Sequence, residues 1–282
     1  MKKIAVLGLG LIGGSLGLAL NQAGVAKHIF GYDSNLDATH IALEIGAITE
    51  ICDTAEKAVQ QADLVILATP ILAMPELLGR IAPKLKRGVL VTDTASTKVP
   101  ILNWAQTLLP AHVTFVGGHP MAGRELSGIQ AAEMGLFEGC TYCLIPARPA
   151  SSEGIAQLSE VVMRLGAYPF ILDADRHDRL VAGISHLPFV LSCALVQCLS
   201  KKEDWRELTS LKAGGFRDMS RLAAGSPTMY RDICATNQEE ILNWLDAFAL
   251  ELNNIRSLIA RKDEVLEPYF AQAKQLRETA FS

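Results

Sequence analysis

Judged by type and spacing, three glycines, an aspartate, two histidines and two arginines are the residues best suited to do chemistry in this chain. Gly8, Gly10 and Gly13 follow an apolar run (residues 4–7) and open an amphipathic segment that reaches about residue 23. Glycines at this spacing let a chain turn tightly and let its backbone approach a pyrophosphate, and a helix N-terminus supplies partial positive charge. Asp33 closes the next apolar run, about 20 residues on, where a carboxylate bonds the adenosine ribose of a dinucleotide. The alternative, a glycine turn that binds nothing, fits the strand–turn–helix–strand context poorly. His119 follows Gly117-Gly118 at what reads as a strand end. An imidazole titrates near neutrality, so it suits removal of a hydroxyl proton as hydride leaves the same carbon. Ser96, at another strand end, is placed to bond His119, a substrate hydroxyl or a nicotinamide, or simply to cap the helix after it. His186 sits among apolar neighbours, Ile184-Ser185-His186-Leu187-Pro188, either as a core histidine or facing a crevice. Arg217 and Arg221, on a glycine-hinged stretch starting at Gly214, either hold carboxylates by bidentate pairs or line a solvated basic turn.

The elements that would position these groups alternate over the first half. After Asp33 the pattern predicts helices over 37–45 and 54–61, an apolar strand over 64–68 ended by Thr69-Pro70, and a helix over 74–85. A strand over 89–92 leads into Asp93-Thr94-Ala95-Ser96, a helix covers 99–108, and a strand over 113–116 leads into His119. This order predicts a parallel sheet wound on both faces, with ligands bound beyond the carboxyl ends of its strands. Residues 8–13, 92–96 and 117–119 then converge on one crevice. Segments 142–145, 154–165 and 168–172 read as a late β-α-β addition. After Asp173 only helical patterns follow: a long helix over 175–199 with a kink at Pro188, and a start signal at Ser226-Pro227. Ile241, Leu245, Phe248, Leu252, Ile255 and Ile259 form a heptad-like stripe, read either as a core face or as a dimer seam. The expected fold is α/β: a Rossmann-type doubly wound parallel sheet over residues 1–172, then an all-helical substrate-binding and dimerisation domain over 173–282.

Composition narrows the function classes. With 282 residues, half of them hydrophobic, the chain can bury a sizeable core, and a net charge of −4 offers no footprint for nucleic acid. No apolar run reads as a membrane span, since the best one is interrupted by His186, Pro188 and Gln197. Six cysteines with no secretion signal suggest reduced thiols in a cytoplasmic protein. Cys140 and Cys143 match C-x-x-C inside a strand pattern without a second pair, so no metal site is expected. Lys2-Lys3 before an uncharged stretch imitates a signal sequence, but the glycines and the continuing fold pattern argue that the segment belongs to the fold.

The motifs taken together resemble the prephenate/arogenate dehydrogenase family. They are Gly8 to Gly13, Asp93-Thr-Ala-Ser96-Thr-Lys98, Gly118-His119-Pro120-Met121-Ala122-Gly123, Ser185-His186-Leu187-Pro188 and Gly215-Phe216-Arg217-Asp218-Met219-Ser220-Arg221. The resemblance implies oxidative decarboxylation of a cyclohexadienol, with His119 as hydrogen-bond acceptor or base and Ser96 orienting it. It implies Arg221 on a substrate carboxylate, His186 and Arg217 near the same pocket, and Glu125 and Asp218 in an ion network with the arginine. Gly8, Gly10, Leu11, Ile12, Gly13, Asp33, Ser34, Thr69, Pro70 and Thr94 are the expected cofactor contacts. The compact form is similar to arogenate dehydrogenases that take NADP, so the reading favours arogenate and NADP, with prephenate as the alternative substrate. Asp33 points instead to NAD, because a carboxylate bonds a 2′-hydroxyl and repels a 2′-phosphate. A homodimer through the C-terminal helices is expected. Two rival readings are a β-hydroxyacid-type dehydrogenase, which needs a lysine on the long helix where none precedes Lys201, and a non-catalytic NAD(P) sensor, which would lack His119 and Ser96.

Overall fold

The computed structural model describes residues 1–147, 152–262 and 264–281; residues 148–151, 263 and 282 of the two expected domains lie outside them. The first half runs β1 (Lys3–Leu7), α1 (Leu11–Gln22), β2 (His28–Tyr32), α2 (Leu36–Glu44), β3 (Glu50–Ile51), α3 (Ala55–Val59), β4 (Leu64–Leu67) and α4 (Met74–Ile81). It continues through β5 (Leu90–Asp93), α5 (Val99–Leu108), β6 (Thr114–Pro120), β7 (Thr141–Pro146), α6 (Ser152–Arg164) and β8 (Tyr168–Ile171). The eight strands form one sheet in the order β3-β2-β1-β4-β5-β6-β7-β8. The order reverses direction between β1 and β4, which opens a crevice at the carboxyl ends of the strands.

The strand period of two sorts β1 between two cores. Ile4 and Val6 pack with Leu16 and Leu20 of α1 and with α6. Ala5 and Leu7 pack with α3, α4 and α5 on the other face. Burial on both faces is what an apolar strand flanked by helices requires.

The sheet departs from the all-parallel expectation at one place. β6 runs on through His119 to Pro120 and pairs antiparallel with β7, His119 opposite Cys143. No α-helix lies between these two strands, only the short 3₁₀ turn Ile129–Ala131. A parallel return needs a long crossover, and without a covering helix the chain comes back antiparallel.

The second half is helical: α7 (Ala174–Val181), α8 (Leu187–Ser200), α9 (Trp205–Ser210), α10 (Gly214–Ser220), α11 (Pro227–Thr236), α12 (Gln238–Arg261) and α13 (Leu266–Ala280). The kink expected at Pro188 is a π-helical turn, Ala182–His186, just before it. Proline cannot donate to the preceding turn, and a π turn is a common way to absorb that. Gly183 leaves room there for Trp244 of α12, since a Cβ would lie 2.8 Å from its ring. The Trp244 indole N–H donates to the Arg179 carbonyl at 3.0 Å. Contrary to the sequence expectation, Ala174–Ser200 is one helix long and apolar enough by composition to cross a membrane. Here His177, Asp178 and His186 of this helix are buried against the sheet's crevice. Ser226 caps α11 by accepting the Met229 N–H, as its Ser-Pro signal predicts.

Candidate active site

The glycine turn forms because three backbones meet in it. Gly8 has φ +95°, and a Cβ on it would lie 2.5 Å from the Ala68 carbonyl oxygen. A Cβ on Gly13 would lie 1.8 Å from the Gly8 carbonyl, so α1 can start this close only with glycine there. Gly10, by contrast, caps α1 facing open space, with nothing within 4 Å of an added Cβ. The first N–H groups of α1, from Leu11 and Ile12, have no side-chain cap and present partial positive charge to that space. Next to the turn, Thr69 just after β4 holds a buried hydroxyl without a partner among the described residues. An open helix N-terminus beside an orphaned hydroxyl fits the phosphates and amide edge of a dinucleotide. Asp33 is tied down at the turn, Oδ2 accepting the Leu9 N–H at 2.7 Å and Oδ1 the Asn35 N–H at 2.8 Å. Ser34 lies exposed beside it, Pro70 is exposed after Thr69, and the Thr94 N–H bonds the Leu67 carbonyl at 3.0 Å, joining the ends of β4 and β5.

Beneath the crevice lies a fully buried ion pair that sequence reasoning did not foresee. Lys98 Nζ donates to Asp93 Oδ2 and, at 2.7 Å, to the Gly118 carbonyl, and neither charged side chain is exposed. Asp93 Oδ1 accepts the Gly118 N–H at 3.1 Å, and its Oδ2 accepts the Ala95 N–H at 2.9 Å. A Cβ on Gly118 would lie 2.4 Å from the Asp93 carbonyl, so this glycine makes the fit possible. Burial pulls the Lys98 ammonium below its usual range, with Asp93 opposing.

Above this pair a chain of hydrogen bonds ends on His119. Asp178 of α7 accepts the Lys98 N–H at 2.7 Å and the Val99 N–H at 2.9 Å, thereby capping α5 from outside. His177 Nδ1 lies 2.7 Å from Asp178 Oδ1, and His177 Nε2 lies 2.9 Å from His119 Nδ1. A carboxylate only accepts, so His177 Nδ1 carries the proton and its Nε2 accepts from His119 Nδ1. His119 Nε2 is then the bare nitrogen, able to take a proton. Burial, reinforced by His177, Lys98 and His186, holds His119 well below the ordinary imidazole value of 6.5. Burial likewise lowers His177, against the pull of Asp178.

The expected orienting role of Ser96 meets a different arrangement. Ser96 is half-buried at the end of β5 and, among the described residues, makes no hydrogen bond to His119, whose partner is His177. α7 brings His177 against the ring instead. His186, from the π turn, is buried beside them, and burial drops it to about 4. Its Nδ1 lies 3.3 Å from Asn237 Nδ2, while its Nε2 has no hydrogen-bond partner among the described residues.

The expected ion network forms only in part. Arg221 pairs with Glu125 at the crevice mouth, whereas Asp218 pairs with Arg217, 3.5 Å apart and both largely exposed. Residues 214–220 form helix α10 rather than a turn, and its outer face carries 217 and 218 into solvent. The sequence did not mark Asp93, Lys98, Asp178 and Asn237 as members of the site, nor His177 as the partner of His119. Asp93 and Lys98 bracket the Thr-Ala-Ser-Thr motif, a signal that was visible, but their burial as a pair was not.

An open glycine turn on a strand–helix junction, next to a bare imidazole nitrogen in a buried crevice, defines an NAD(P)-binding dehydrogenase. Comparison with known proteins makes this particular. Residues 16–170 match the family profile described as prephenate dehydrogenase, nucleotide-binding domain, and residues 173–275 match prephenate dehydrogenase, dimerization domain. The chain belongs to the prephenate dehydrogenase family of oxidoreductases. It is 36% identical to a prephenate dehydrogenase of Bacillus subtilis over 278 residues, 98% of this chain and 75% of the relative. The crystal structure of prephenate dehydrogenase from A. aeolicus in complex with hydroxyphenyl propionate and NAD⁺ superposes with a TM-score of 0.92 at 29% identity, covering 99% and 98% of the two chains. That of Synechocystis arogenate dehydrogenase gives 0.84 at 32%, covering 99% of each.

Proposed function

We propose that this protein converts prephenate to 4-hydroxyphenylpyruvate by oxidative decarboxylation, with NAD as the oxidant. The observation that carries the reaction is the Asp178–His177–His119 chain, which leaves His119 Nε2 bare in the crevice. Hydride acceptance is the chemistry a bound nicotinamide supplies. The residues that would hold the dinucleotide are Gly8, Gly10, Leu11, Ile12 and Gly13 for the pyrophosphate, Asp33 with Ser34 for the ribose, and Thr69, Pro70 and Thr94 for the nicotinamide end. His119 takes the hydroxyl proton while hydride leaves the same ring carbon, and loss of the ring carboxylate as CO₂ then aromatises the ring. Ser96 bonds the substrate hydroxyl. Arg221 is the carboxylate partner, and its pairing with Glu125 across the mouth supports a gate that opens as substrate takes over the guanidinium. Arg217 and Asp218 belong to the outer edge of that gate.

Prephenate is preferred to arogenate because two of the relatives described carry the prephenate name. The arogenate reading keeps the support of the Synechocystis structure. NAD is preferred to NADP because two backbone N–H groups hold the Asp33 carboxylate at the ribose position, where it opposes a 2′-phosphate. The six free cysteines support a reducing, cytoplasmic setting, and the dimerization-domain match supports a homodimer. Absorbance at 340 nm with prephenate and arogenate, each with NAD and NADP, tests the reading. The fastest reduction is expected with prephenate and NAD. A preference for arogenate or NADP overturns that choice, and no reduction with any pair overturns the enzyme assignment.

A further inference from the structure

Asn237 stands at the N-cap of α12, yet its side chain makes no capping bond to that helix. Asparagine is favoured at this position because it caps, so forgoing the bond needs a compensating partner. The side chain turns inward instead and is buried. Its Nδ2 lies 2.8 Å from the Asp178 carbonyl oxygen and 3.3 Å from His186 Nδ1. A backbone carbonyl can only accept, so the amide must present its NH₂ to Asp178. The second hydrogen of the same NH₂ then faces His186 Nδ1, which must be the bare nitrogen. The ring proton therefore resides on His186 Nε2, the atom that is buried without a partner.

Two imidazoles of one crevice are thus held in opposite tautomers, and both settings originate at Asp178. Its carboxylate, through His177, leaves His119 with a bare Nε2. Its carbonyl, through Asn237, leaves His186 with a protonated Nε2. We propose that Asn237 is a positioning residue that locks His186 as an N–H donor, and that this donor selects a substrate bearing an acceptor oxygen where a competitor carries an ammonium group. The selection rests on the proposed reading of the chain as a cyclohexadienol dehydrogenase, whereas the tautomer does not. An unpaired N–H facing an ammonium leaves two donors opposed in a buried site, the kind of mismatch that discriminates strongly.

Long-range ¹H–¹⁵N correlation on the full-length protein labelled with ¹⁵N-histidine reads each ring nitrogen as protonated or bare, with His119→Asn and His186→Asn used for assignment. The expected result in the free protein is Nε2 protonated in His186 and Nδ1 protonated in His119. A His186 protonated at Nδ1 overturns the tautomer lock whatever the enzyme turns over. In Asn237→Asp the carboxylate accepts from His186 Nδ1, so the ring should change tautomer. The ratio of kcat/KM for prephenate over arogenate should then fall roughly tenfold or more, through KM for prephenate and with KM for the nucleotide unchanged. A folded Asn237→Asp protein with an unchanged ratio overturns the selection, and an equal loss on both substrates and on nucleotide binding reduces Asn237 to a structural role. If Asn237→Asp does not fold, Asn237→Leu serves in its place: His186 should lose its single tautomer, and retention of that tautomer overturns the lock.

Discussion

A neutral His119 is the form the crevice stabilises. Burial, His177, Lys98 and His186 all disfavour a proton on it and hold it well below 6.5. In the proposed reaction the neutral ring accepts, so activity is lost when the ring is protonated, that is, as pH falls. The value of kcat/KM should therefore stay level down through pH 6.5 and drop only on the more acid side. His119→Asn should remove that limb and slow turnover by about 10²–10⁴-fold, while NADH affinity, read by fluorescence titration, is kept. An acidic limb centred at or above the ordinary imidazole value, or near-normal turnover in His119→Asn, would remove His119 as the base. In the proposed reaction so buried a ring can serve as base because Asp178 and His177 hold its tautomer with Nε2 bare.

The ends of β5 and β6 are joined by the Asp93–Lys98 pair, which ties the loop carrying Ser96 to the strand carrying His119. Removing one member of a buried pair leaves the other charge uncompensated, at a cost of about 3–5 kcal/mol. Lys98→Met should lower the urea midpoint by a corresponding amount, and adding Asp93→Asn should recover part of the loss. A Lys98→Met protein as stable as its parent would show that Asp93 relies on its backbone donors at Gly118 and Ala95 instead. The antiparallel turn-back of β7 belongs to the same scale. By pairing antiparallel with β6 up to Pro120, β7 holds the backbone of His119 within the sheet.

For the whole molecule, the heptad-like stripe of α12 divides into two functions. Ile241 is buried in the core cluster that also holds Ala182 and Ile233, so the core-face reading holds at that end. Further along, Phe248, Leu252 and Ile259 remain 38%, 55% and 57% exposed, and Phe270 and Leu276 of α13 are exposed as well. Apolar surface of this extent on one helical layer marks an interface, in keeping with the dimerization-domain match. Phe248→Glu with Leu252→Glu should convert a dimer to a monomer in light scattering coupled to size-exclusion chromatography. A mass unchanged at two chains would place the seam elsewhere. α12 joins this surface to the crevice: its Trp244 packs on Gly183 of the π turn, and Asn237 at its start donates to the Asp178 carbonyl.

The glycine turn, Asp33, the alternating strands and helices and the capped start of α11 were legible in the linear chain, because each is signalled by residue types at short spacings along it. Local patterning also carried His119 and Ser96 to the crevice, since strand ends converge in any sheet wound on both faces. What only the tertiary structure decided were contacts between residues far apart in the chain. Asp178 reaches Lys98 across 80 residues and Asn237 reaches Asp178 across 59, distances over which no periodicity or spacing carries information. The exposure of Arg217 and Asp218 was hidden for a related reason. A glycine-rich run reads as a turn until the neighbouring helices show that it is one more helix with its polar face outward. The turn proposed to hold the dinucleotide is thus written in six residues, whereas the hydrogen-bond chain that sets the two histidines exists only once α7 and α12 have folded against the sheet.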